Sequence, residues 1–133
     1  VRIWPFDGAL ADLLAAGGVV VAETYPGECY GHLDLAIGDR RRSKRRQADR
    51  AADAPSLLAA AAGLSVMPAP DLRAAIADGF GPRAGGEDPF DATVGLLGMI
   101  NVLRGRRPTG EPDLPDIRAV EGWILGQRAP APG

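Results

Sequence analysis

The chain reads as α/β: a short parallel β-α-β unit followed mostly by helices. Three observations predict this. Residues 1–6 alternate and are rich in β-formers, and Val19, Val20 and Val21 make a continuous β-branched run, the pattern of a strand buried on both faces. The twelve residues between them, 7–18, are enough for a helical crossover joining parallel strands, right-handed by default. Beyond Gly38, apolar residues recur at helical spacing almost to the end.

Each element follows from local signals. Asp7 reads as the N-cap of a helix carrying Leu10, Leu13 and Leu14, with Gly17 as its stop. Glu23 closes the second strand, and Pro26 opens a short helix through Cys29 and Leu33. The basic segment 40–50 is expected to form one helix to about Ala54. Asp53 and Pro55 then punctuate it and open a second helix, with Leu57, Leu58, Ala61 and Ala62 inward and Gly63 as the stop. Residues 67–70 form a linker, 71–78 a short helix with Leu72 and Ile76 on one face, and 79–86 a glycine-rich loop. Glu87, Asp88 and Pro89 open the best-defined helix, running to about Arg104. Phe90, Val94, Leu97 and Asn101 share one stripe; Leu96, Ile100 and Leu103 share the next. Gly95 and Gly98 weaken this helix, which predicts close packing against a sheet. Residues 105–118 are irregular, and 121–126 form an anchor that docks Trp123. Residues 1–128 therefore make one domain, with a frayed tail at 129–133.

Composition narrows the classes. Of 133 residues, 23 are Ala, 18 Gly and 12 Pro, so much of the 46% hydrophobic share fills little core volume. No apolar run approaches the roughly 18 residues of a membrane span, and no basic stretch leads an apolar core as in a signal peptide. One cysteine excludes an internal disulfide, and Cys29 with the lone His32 cannot build a zinc site; a cytoplasmic location is expected. Charge is unevenly spread. Residues 1–39 carry −5, residues 40–50 carry +6 and residues 51–133 carry −3, an acidic body with one concentrated basic segment.

Several carboxylates stand where chemistry is possible. Asp7 and Glu23 fall at the carboxyl ends of parallel strands, the edge where open α/β sheets bind ligands. Asp88 and Asp91, three residues apart, share one helix face, a spacing that suits a hard cation. Their plain alternative is a helix cap and a dipole-favoured first turn. Asp91 borders the apolar stripe, where an acid needs a partner. Seven cations within residues 40–50 make a strong field for phosphates, although no aromatic residue among them supports base stacking.

Four segments in order, Trp4-Pro5-Phe6-Asp7-Gly8, Glu23-Thr24-Tyr25-Pro26, Asp88-Pro89-Phe90-Asp91-Ala92 and Glu121-Gly122-Trp123-Ile124, with Lys44 and Arg50 between them, resemble the domain-of-unknown-function family 429. The resemblance implies an RNase H-like fold and a metal-dependent nuclease acting on nucleic-acid phosphodiesters. Glu23, Asp88 and Asp91 would be catalytic ligands of Mg²⁺ or Mn²⁺, two metals clamping the attacking and leaving oxygens. Lys44 and Arg50 would meet substrate phosphates. Asp7 and Glu121 are secondary candidates, Glu121 more as a cap of the Trp123 anchor.

That fold opens with a meander whose first strand carries an essential Asp, and nothing here precedes Val1. The expectation is an incomplete domain, inactive by itself, whose sheet is completed by an upstream segment or a second copy of the chain. The competing expectation is a non-catalytic module that holds nucleic acid or another polyanion, or serves assembly, through residues 40–50.

Overall fold

The structure, a computed structural model, describes residues 1–39, 41–82, 84–113 and 115–128, with the side chains of Ala84 and Glu121 outside that description. Its order is β1 (Arg2–Ile3), α1 (Leu10–Ala15), β2 (Val20–Val21), α2 (Pro26–His32), a 3-10 turn (Ala36–Asp39), α3 (Gln47–Gly63), α4 (Pro70–Ala77), a second 3-10 turn (Ala84–Gly86), α5 (Glu87–Leu103) and a π turn (Ile117–Glu121). The architecture is mixed α/β and mostly helical. β1 and β2 pair in parallel with Arg2 beside Val20 and Ile3 beside Val21, with α1 between them in sequence. One parallel bridge, Glu23 to Ile124, continues the sheet, and Leu125 N–H donates to the Glu23 carbonyl at 2.9 Å. Among the described residues no helix is long and apolar enough to cross a membrane. The tail expected to fray and Arg40 of the basic segment lie outside the described residues.

Two apolar clusters hold the chain. The larger joins α2, α3, α4 and α5 through Tyr30, Leu33, Leu57, Ile76, Phe90, Val94 and neighbours. The smaller gathers Trp4, Leu10, Leu13, Val102 and Leu125 under the sheet. Helix α5 serves both. Its stripe of Phe90, Val94 and Leu97 is buried as expected, but Leu96 and Leu103 are exposed, because α5 turns its glycine side rather than that second stripe inward. Gly95 lies against Thr24 and Pro26, and Gly98 against Cys29. The close approach that the two glycines permit is therefore to α2 and the chain leading into it, not to a sheet.

Local expectations fail where long-range contacts take over. Val19 and Val21 are exposed rather than buried on both faces: with Val1 and Ile3 they line a side of the sheet that no described element covers. Asp7 does not cap α1. Its carboxylate accepts the Ile3 N–H at 2.6 Å and its own N–H donates to the Ile3 carbonyl at 2.9 Å, which closes the outer edge of β1. Glu111, a hundred residues away, accepts the Leu10 N–H instead, at 3.1 Å, and the Trp4 indole N–H at 2.7 Å.

The basic segment is not one helix: among its described residues only 47–50 are helical. Residues 41–46 are irregular, and α3 starts at Gln47. Stacking like charges on one helix face costs free energy, whereas the irregular path lets the cations reach separate acids. Helix α3 then passes through Pro55 without a break. Proline removes one backbone donor, but Ala54, Leu57 and Ala61 on the inward face anchor both halves in the larger cluster. In the last anchor Leu125 is buried, and Trp123 packs half-buried against the smaller cluster.

Candidate functional site

Three segments meet at Asp91. Helix α5 presents it half-buried in its second turn; Tyr30 comes from α2, and Lys44 from the irregular basic stretch. The Tyr30 hydroxyl donates to one carboxylate oxygen, and Lys44 Nζ donates to the other at 2.5 Å. The cluster answers the demand that an acid beside an apolar stripe finds partners. Burial first, and then the bond to Asp91, push the Tyr30 phenol well above its ordinary value. The hydrogen bond to Asp91 pushes the Lys44 ammonium upward against the opposing effect of burial. The negative charge of Glu87 acts on both in the same direction.

Arg50 is next to this cluster but works differently from its expected role. Its side chain is buried, 1% exposed, and its donors go to three carbonyls: Gly79 at 2.8 Å, Gly81 at 2.9 Å and Lys44 at 2.5 Å. A guanidinium so engaged is not open to a substrate phosphate. It ties the loop after α4 to the carbonyl of Lys44 and so positions that residue.

The remaining candidates do not join Asp91 in a metal-holding group among the described residues, although Asp88 is one turn before it on α5. Asp88 is exposed in the first turn of α5, and Glu23 is exposed at the end of β2. Glu23 is one residue from Thr24, which packs against Gly95 one turn along α5 from Asp91, so its backbone is at the same end of the molecule. Asp7 closes the edge of β1, and the side chain of Glu121 lies outside the described residues. Among the described residues, no three of Asp, Glu, His or Cys come together as a group able to hold a metal ion. Both oxygens of Asp91 already accept hydrogen bonds. The acids of the described residues, as arranged, do not fit Mg²⁺ or Mn²⁺.

Two engaged polar side chains escape the sequence reading. Tyr30 lies in a short helix beside Cys29, with no nearby residue to mark it as the partner of an acid. Asp53, read as helix punctuation, is wholly buried. It accepts the N–H groups of Ala36 at 3.3 Å and Ile37 at 2.9 Å, together with Arg42 Nη1 at 2.5 Å. Its position four residues before Leu57 on the inward helix face was the available signal.

The basic segment is thus largely matched by acids. Arg41 pairs with Asp39, Arg42 with Asp53, Lys44 with Asp91 and Arg46 with Asp49. Fold and site together define a mostly helical α/β chain with a buried-edge Asp-Lys-Tyr cluster. No family model matches the chain, and no curated protein or solved structure matches it either.

Proposed function

We propose that this chain is a nuclease-like domain, RNase H-like in kind, that engages nucleic-acid phosphodiesters at the Tyr30–Lys44–Asp91 cluster and does not cleave them by itself. The observation that carries the reading is the convergence of Lys44 and Asp91, residues of separate segments, on one half-buried ion pair near the end of β2. A phosphodiester oxygen approaching Lys44 competes with Asp91 for the ammonium. The carboxylate then keeps its hydrogen bond from Tyr30, and the phosphate takes the charge-assisted bond. Hydrolysis assisted by Mg²⁺ or Mn²⁺ requires ligands beyond the acids gathered at this cluster.

The test is binding of labelled single- and double-stranded DNA and RNA, with and without Mg²⁺ or Mn²⁺, alongside cleavage and metal calorimetry. Lys44→Met is expected to abolish binding. Asp91→Asn is expected to tighten it several-fold, by removing the competing charge. Cleavage and metal heat are expected to stay at background. Metal-dependent cleavage lost in Asp91→Asn would restore a complete metal site; no binding to any nucleic acid would sink the reading. If binding survives Lys44→Met and falls with Arg41→Ala and Arg45→Ala, the polyanion module is the better description, but the pairing of four of these cations with acids argues against it.

A further inference from the structure

A cavity of about 390 Å³ opens between the carboxyl-terminal parts of α2, α3 and α5. It begins ten residues along α5 from Asp91, about 15 Å of helix rise, and so is separate from the Lys44 cluster. Five polar side chains line it: His32, Asp34, Ser56, Asn101 and Arg106. None of the five makes a side-chain hydrogen bond or ion pair with another described residue, whereas Tyr30, Lys44, Arg50, Asp53 and Asp91 are all engaged. Between the polar groups, the floor is apolar, formed by the buried Leu33 and Leu64.

The cavity carries one charge of each sign. Arg106 supplies a cation and Asp34 an anion, and the two line one cavity without pairing with each other. Burial, and then the charge of Arg107, hold the His32 ring below its ordinary value of 6.5, so it offers a neutral donor and acceptor. A simple anion would meet Arg106 but be repelled by Asp34; a simple cation would face the reverse. A molecule carrying both charges satisfies both side chains.

From this geometry we infer a binding site for a small amino-acid-like zwitterion: its carboxylate on Arg106 and Asn101, its ammonium toward Asp34, and an aliphatic side chain over Leu33 and Leu64. The size of the cavity is within the range of small-molecule sites.

Calorimetry on the whole chain at neutral pH tests this with L-leucine and glycyl-L-leucine, against two half-ligands and inorganic phosphate. The half-ligands are 4-methylpentanoate, which lacks the ammonium, and 3-methylbutylamine, which lacks the carboxylate. At least one zwitterion is expected to bind about tenfold or more tightly than either half. Asp34→Asn should erase the preference over 4-methylpentanoate, and Arg106→Met the preference over the amine. Asp34 and Arg106 are exposed, and asparagine tolerates the positive φ of 57° at position 34, so both variants should keep the native circular dichroism. Equal binding of either half-ligand or of phosphate, or no binding of either zwitterion, overturns the proposal.

Discussion

Arg50 and Asp53 lie one turn apart on α3, both buried, yet neither is the partner of the other. Arg50 serves three carbonyls, and Asp53 serves two backbone N–H groups and Arg42. Removing a buried charged acceptor leaves its donors unsatisfied, which costs more than the net value of the bonds. Asp53→Ala is therefore expected to lower unfolding stability by about 3 kcal/mol or more, read from the urea midpoint. At the same scale, Tyr30 and Lys44 both have folded-state values above their ordinary ones, 10.0 and 10.5. For both groups the native state holds its proton more tightly than the unfolded chain. Their stabilising effect is complete below about pH 10 and is lost as pH rises above it. Tyr30→Phe should reduce the steepness of alkaline unfolding and lower the tyrosinate absorbance that accompanies it, leaving the contribution of Tyr25. Neither partner of Asp91 was apparent from local sequence: Lys44 came through a resemblance and Tyr30 not at all, because 47 and 61 residues separate them from the acid.

At the scale of elements, helix ends were legible where glycine or proline marks them. Gly17 follows α1, Pro26 opens α2 and Gly79 closes α4, whereas Pro70, expected in a linker, is the first residue of α4. The same punctuation misled at Pro55, because the penalty of one missing donor is smaller than the packing of the helix face it interrupts. The α2–α5 contact shows what glycine contributes inside a helix. A Cβ on Gly98 would collide with the buried Cys29. Gly98→Ala is expected to cost about 1–3 kcal/mol. Cys29→Ala in the same chain should recover part of that loss, a coupling that a double-mutant cycle measures. Full additivity of the two substitutions would show that the helices do not meet there.

At the scale of the whole molecule, four of the seven cations of the basic segment that dominates the linear charge pattern are folded into separate ion pairs. An open strip of seven cations would make binding of single-stranded nucleic acid fall with salt at a logarithmic slope of about −5. With Lys44 as the principal contact, the slope is expected to be about −1 to −2, measured by fluorescence anisotropy across a salt series. A steep slope would mean that Asp39, Asp49, Asp53 and Asp91 release their partners on binding. The sheet also departs from its local signal at this scale. Val19 and Val21 have the composition of a doubly covered strand, but burial is a property of neighbours, and only the Trp4 and Val20 side has them.

Sequence alone was sufficient for the class of fold, the parallel pairing of two short strands, the positions of most helices and the inward stripe of α5. Those follow from periodicity, backbone restriction at proline and glycine, and chain length, all of which act over a few residues. Tertiary structure decided which charges are buried, which acid receives Lys44, that Glu111 rather than Asp7 caps α1, and that Glu23, Asp88 and Asp91 form no metal-holding group among the described residues. Each of these depends on desolvation and on distances between segments tens of residues apart, quantities that no local pattern carries.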